Sequence, residues 1–406
     1  MRFILNRLIK LNICFLFSLT AIFSQTIEKT DMEKKVQNII HQVQMKYAPD
    51  SRTAIFNIIP EVDNNLVVIK GETNRKNARD ELIKEFENRN YKVQDSVRIL
   101  PSKELGESIY GIINLSVANM RLQPFHNEEL VSQSLLGVAI RIYKKEGGWY
   151  LIQTPDEYIA WVLRDAIKVA NKSEYEEWIK SDKIIYTSAF GFSFSEPQKK
   201  SQTVSDLVKG DILKVLENKN GFFKVEYPDQ RIAYIPANEC EYFEKYVNEL
   251  KINAENVIKT AKTFMGIPYL WGGTSIKGVD CSGFTKSVYY LNGILLPRDV
   301  SQQIHVGEFI TNKIDFEKLQ PADLLFFSSK GESKIDKPTH VGIYLGDGKF
   351  IHSSGFVKIS GLITEKNDTD TNGHRKFLEA RRILTSLEKN GIILLKNSMA
   401  YFKVKK

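Results

Sequence analysis

Cys281 stands where a glycine-rich stretch passes into a helical pattern, in the run GIPYLWGGTSIKGVDCSGFTKSVYY from Gly266 to Tyr290. Phe284, Val288 and Leu291 recur at i, i+4 and i+7, the spacing of one buried helical stripe, so the cysteine falls in the first turn. Asp280 before it is a good N-cap, and the unpaired N–H groups and positive dipole end of a helix favour a thiolate. The expectation is an activated nucleophile that alkylates well below pH ~8.5, the ordinary thiol value. A lone free cysteine is more often buried and inert. Gly283 and Ser282 argue for an open sulfur here.

A thiol nucleophile needs a base, and the chain has six histidines from which to supply one. His340 and His352 flank a hairpin signal, THVGIYLGDGKFIHSS, with two β-branched and aromatic runs separated by Gly346-Asp347-Gly348. A two-residue Asp347-Gly348 turn would pair Gly346 with Lys349, set His352 opposite Ile343 and send the imidazoles to opposite faces. A three-residue Gly346-Asp347-Gly348 loop, with Gly348 in the left-handed position of a bulge, would set His352 opposite Gly342 and both histidines on one face. The three-residue loop is the expectation, because Gly at its last position suits that turn. No Cys/His spacing resembles a zinc site, so the expected chemistry needs neither metal nor other cofactor.

These residues, together with Tyr269-Leu270-Trp271-Gly272-Gly273, Leu295-Pro297-Arg298, Ser301-Gln302-Gln303 and Leu319-Gln320-Pro321-Ala322-Asp323-Leu324, resemble in order and spacing the NlpC family of papain-like cysteine peptidases, which cleave cell-wall peptides. The resemblance covers about a third of the chain. It implies Cys281 as nucleophile, His340 as general base, His352 as the polar group orienting it, Tyr269 as oxyanion donor, and Asp280 and Ser282 lining the pocket. Ala322 departs from the glycine usual in the family, at a loop position that carries none of the chemistry.

The whole chain has 406 residues, 42% hydrophobic and 26% charged, enough for two to four domains with cores of their own. Residues 1–24 read as a signal peptide: Arg2, Arg7 and Lys10 precede an apolar run from Leu11 to Phe23. That run is too short for a transmembrane helix, so the mature protein is expected to be exported, periplasmic or extracellular, with no stable membrane insertion. Removing those three positive charges from +8 leaves +5, and nothing interleaves basic and aromatic residues into a nucleic-acid stripe. Cys240 and Cys281 then remain, both expected to be free, since a bridge would disable the nucleophile.

Residues 25–104 read as a helix over 31–47 and a small α+β module of β-β-α-β order. An internal repeat follows: Pro124, Gly137, Trp149, Pro155, Asp156 and Trp161 correspond to Pro197, Gly210, Phe222, Pro228, Asp229 and Tyr234, each 73 positions on. The two copies, 105–168 and 182–240, read as small β-barrels and resemble bacterial SH3-like domains. A charged helical linker over 239–250 leads to a papain-like α+β catalytic domain at 250–386, and 387–406 is a tail, either an added strand or a packed segment. The copies differ at two places: Tyr158 becomes Arg231, and Glu128-Glu129 becomes Ser201-Gln202. Any copy that touches substrate is therefore expected to be the first.

Tandem SH3-like domains before an NlpC domain resemble the γ-D-glutamyl-L-diamino acid endopeptidases. That resemblance implies a murein peptide substrate, L-Ala-γ-D-Glu-diamino acid, whose free N-terminal amine is held by Glu129 and Tyr158 beside Trp271 as a cleft wall. Two other readings are a remodelling endopeptidase acting on intact peptidoglycan and a non-catalytic wall-binding protein. An intact Cys, two His and Tyr269 speak against the last.

Overall fold

A computed structural model describes residues 31–329, 337–362 and 375–402, and the chain divides into two compact units, one ending at Glu104 and one beginning at Leu105. The expected leader over 1–24 and most of the loop expected over 328–338 lie outside the described residues. Among the described residues no helix is long and apolar enough to cross a membrane.

In the first unit a helix over 31–47 precedes strands Phe56–Asp63 and Leu66–Thr73, helix Lys76–Glu87 and strand Lys92–Ile99. The first two strands pair antiparallel and the last runs parallel to the second, the crossover that an intervening helix permits. Val36, Ile40 and Val43 from one helix and Leu82 and Phe86 from the other bury against Val67 and Ile69 of the sheet. The β-β-α-β order expected from the sequence is the order observed.

The second unit opens with two seven-stranded antiparallel sheets whose strands lie in the same spatial order. Ala139–Glu146, Trp149–Gln153 and Ile159–Leu163 of the first recur as Ile212–Lys219, Phe222–Glu226 and Ile232–Pro236 of the second, at the 73-residue offset of the sequence repeat. The sheets touch closely: Ile212 N–H donates to Leu136 O at 3.0 Å, and a Cβ on Gly137 (φ +82°) would come within 2.1 Å of Ile212 O. Only glycine fits there. Between the sheets lies helix Lys172–Lys180, which the sequence reading left unassigned, although Asn171 and Glu174 form a reciprocal capping box.

The last part of the unit is an α+β domain. A six-stranded sheet, in the order Glu308–Thr311, Arg375–Arg382, Leu324–Ser329, His340–Gly346, Lys349–Ser354 and Phe356–Gly361, is antiparallel throughout. Helix Cys281–Tyr290 buries Phe284 and Val288 in the core that holds Phe326, Val341, Ile343 and Ile351 of this sheet. Helix Ala254–Lys262 adds Val257 and Ala261, and Phe243–Glu249 is the linker helix. The C-terminal segment is strand and packed tail at once: Ile393–Leu394 pairs with Ile294–Leu295, and Phe402 stacks on Phe243 with centroids 4.9 Å apart.

Candidate active site

Asp280 caps the nucleophile helix as its sequence position demands, accepting from Gly283 N–H at 2.6 Å. Its other oxygen accepts from Gly272 N–H at 2.9 Å, and the Arg298 guanidinium grips both oxygens. Arg298 is 1% exposed and also donates to Ser282 Oγ at 3.0 Å. A Cβ on Gly283 would lie 1.9 Å from Gly273 O, so the loop and the helix meet through bare backbone. Asp280 and Ser282, expected to line the pocket, are thus buried and satisfied within the protein. They tie the Trp271-Gly272 loop to the helix that carries Cys281. Arg298 was quoted in the sequence motif but given no role. A lone arginine beside Pro297 in an apolar run, 18 positions after a capping aspartate, was the signal available.

The hairpin differs from expectation in its turn and agrees in its outcome. Gly346 pairs with Lys349, so the turn is the two-residue Asp347-Gly348, both with positive φ (+50° and +68°), the requirement of a type I′ turn. The register nevertheless places Ile343 opposite Ile351 and Tyr344 opposite Phe350, because a bulge at Leu345 supplies the extra residue. Gly342 consequently faces His352, and a Cβ there would lie 3.0 Å from His352 Cβ. His340 Nε2 and His352 Nδ1 are 2.7 Å apart, and His352 Nε2 is 2.8 Å from Ser360 Oγ. Ser360, on the next strand, went unnoticed in the sequence because it has no motif around it.

Two sets of tautomers satisfy this chain: His340 Nε2–H donates to His352 Nδ1 and His352 Nε2–H to Ser360, or Ser360 Oγ–H donates to His352 Nε2 and His352 Nδ1–H to His340 Nε2. In the first set His340 Nδ1 is the nitrogen able to take a proton. The thiol itself does not conform to the expectation of a ready-made thiolate. Burial and then the Asp280 charge push Cys281 up to about 11, while the N–H groups of Val341 and Ser282 and the Arg298 charge pull the other way. Burial, then Arg375, His352 and Lys358, hold His340 well below the ordinary imidazole range. Desolvation thus works against the helix terminus, and both shifts favour the neutral thiol and the neutral imidazole.

Tyr269 is half-buried, and burial followed by the charges of Cys281 and Asp280 raises its phenol, which stays protonated. Trp271 is 62% exposed, and its Nε1–H donates to Glu129 Oε1 at 2.7 Å, from the catalytic domain to the first β sheet copy. That contact is braced from below: Thr274 N–H donates to Gln133 Oε1 at 3.0 Å, and Gly272 (φ +76°) abuts Leu130 O. Tyr158 is 5% exposed and lies in the core of the first copy with Ile140, Ile152 and Val162. Glu129, Trp271, Asp280, Ser282 and Cys281 are therefore joined through the 271–272 loop and the nucleophile helix, and His340 and His352 pair on the facing sheet, whereas Tyr158 is buried in the core of the first copy. The equivalents of Glu129 and Tyr158 in the second copy behave differently, Arg231 donating to Asp229 of its own turn at 2.7 Å.

Residues 266–376 match the model of the NlpC/P60 family, and residues 120–167 match the bacterial dipeptidyl-peptidase Sh3 domain. The C-terminal domain is an NlpC/P60 domain. With Cys281 at the head of its helix and His340 on the facing strand, the chain is a cysteine peptidase of that type. A γ-D-glutamyl-L-lysine dipeptidyl-peptidase of Bacillus cereus is 29% identical over 262 residues, covering 62% of this chain and 76% of the relative. Dipeptidyl-peptidase 6 of Lysinibacillus sphaericus is 28% identical over 249 residues, covering 60% and 87%. A crystal structure of an NlpC/P60 family protein from Bacillus cereus shares the fold, with a TM-score of 0.58 at 24% identity over 68% of this chain and 99% of that one.

Proposed function

We propose that this NlpC/P60 peptidase is an exported γ-D-glutamyl-L-diamino acid endopeptidase, cleaving released cell-wall peptides that carry a free N-terminal L-Ala. Both repeat copies are SH3-like domains in this reading, and the first closes one end of the cleft. The observation that carries it is the Trp271–Glu129 hydrogen bond, which brings an exposed carboxylate of the first copy to the loop that also bears Tyr269. A cleft stopped there accommodates a chain end, and an acid at the stop suits an ammonium.

Cys281 Sγ attacks the side-chain carbonyl of D-Glu as its proton passes to His340 Nδ1. The Tyr269 hydroxyl donates to the developing oxyanion. The imidazolium shares its Nε2–H with neutral His352, which Ser360 holds in place. The C–N bond breaks, His340 returns the proton to the leaving amine of the diamino acid, and water hydrolyses the thioester to release L-Ala-γ-D-Glu. The reading is tested by identifying products from L-Ala-γ-D-Glu-diaminopimelate. It requires the dipeptide L-Ala-γ-D-Glu from wild type and nothing from Cys281→Ser. Free L-Ala as the first product would place the scissile bond elsewhere.

A further inference from the structure

The turn that delivers Tyr158 has an anchor of its own. Thr154 N–H donates to Tyr158 O at 3.0 Å and Glu157 N–H to Thr154 O at 2.8 Å, with Glu157 at φ +66°. At the head of this turn Asp156 points inward, its side chain 5% exposed, and its Oδ2 lies 3.3 Å from Lys286 Nζ. Lys286 sits on the nucleophile helix, and at 19% exposure it is largely screened from water. A cavity of about 50 Å³ adjoins the pair, lined also by Tyr290, Tyr401 and Gln133. It has room for a few waters and none for a peptide, so Asp156 is not a ligand group.

The repeat supplies an independent comparison. Asp229, the equivalent of Asp156, also reaches out of its copy, accepting from Asn114 of the first copy at 2.8 Å. In both copies the Pro-Asp turn is a docking point: Asp229 is shared by Arg231 and Asn114, and Asp156 faces the cation of the catalytic helix.

We propose that Asp156 is a positioning residue. Its ion pair with Lys286 registers the 154–158 turn against the nucleophile helix, so that Tyr158 meets the amine end of the substrate at a fixed distance from Cys281. This rests on the assignment of Tyr158 to the free amine. Breaking a screened ion pair by removing one partner leaves a charge uncompensated, and the turn then has a reason to move.

The test compares kcat and KM of wild type, Asp156→Ala, Tyr158→Phe and the double variant on L-Ala-γ-D-Glu-diaminopimelate and its N-acetyl form, with amide hydrogen exchange of residues 154–158. Asp156→Ala is expected to raise KM for the free-amine peptide roughly tenfold, narrow the preference over the acetyl form and speed exchange in the turn, leaving kcat within about twofold. The double variant should match Tyr158→Phe alone, because both changes remove one unit. Lys286→Met should reproduce Asp156→Ala, and exchanging the two charges (Asp156→Lys with Lys286→Asp) should restore part of the loss. Unchanged KM and unchanged exchange in Asp156→Ala, or effects that multiply in the double variant, would overturn the positioning role. Unchanged KM in Tyr158→Phe would instead remove the Tyr158 assignment beneath it, and a uniform fall in kcat with a lowered melting temperature would mark Asp156 as structural only.

Discussion

Burial of the Cys281 thiol and of the His340 imidazole shapes their chemistry more than the motif around them does. Because burial holds the Cys281 thiol up to about 11 and His340 well below the ordinary imidazole range, neither ionises alone near neutrality. Alkylation of Cys281 by iodoacetamide should therefore keep rising above pH ~8.5 with no plateau near pH 6. The sign for the base is opposite: a lowered imidazole remains neutral, hence competent, below pH ~6.5, so the acid limb of kcat/KM should lie under that value. A thiolate plateau near pH 6 would show that the helix terminus wins after all. Arg298 sets the other scale. Removing one partner of its buried pair with Asp280 leaves a charge unpaired, so Arg298→Leu should cost about 3–5 kcal/mol in chemical denaturation. A cost under about 1 kcal/mol, the range of an exposed pair, would contradict the burial.

At the scale of elements, the histidine pair depends on a single extra residue. The two-residue turn alone would turn His352 away from His340, and the bulge at Leu345 turns it back. Deleting Leu345 while keeping Asp347-Gly348 should give a folded protein with His352 on the wrong face, and activity no better than His352→Ala. Activity near wild type would place the register elsewhere. The sequence made the pairing legible through the spacing of two histidines about a glycine-rich turn. It did not reveal the bulge, because Leu345 is an ordinary strand residue whose unpaired state is a property of two strands together. The 73-residue repeat was fully legible, since aromatic and turn residues recur at fixed positions in both sheets. Helix Lys172–Lys180 was overlooked despite its capping box, and Arg298 and Ser360 were not assigned because their partners are distant in sequence. The thiol shift was hidden for the same reason: burial of Cys281 is contributed by the facing sheet.

At the scale of the molecule, the first β sheet copy and the catalytic domain meet along one seam, Glu129 on Trp271, Gln133 on Thr274 and Leu130 on Gly272, which the proposed function reads as a cleft wall. Glu129 is exposed, so its attraction for an ammonium is worth up to about 1 kcal/mol, a factor of roughly five. Glu129→Gln should accordingly raise KM for the free peptide by no more than about fivefold, whereas Glu157→Ala, a neighbouring acid outside the cleft, should change nothing. In the proposed function most of the discrimination then falls to the wall itself, which in that reading stops the cleft at L-Ala. The central claim is best tested by kcat/KM for L-Ala-γ-D-Glu-diaminopimelate against the same peptide bearing N-acetylmuramic acid on its L-Ala nitrogen. The expected result is a preference for the free peptide well above the fivefold that Glu129 alone supplies, with intact sacculi untouched. Comparable rates on the two peptides, or release of peptide from sacculi, would contradict the account and favour an enzyme that remodels the intact wall.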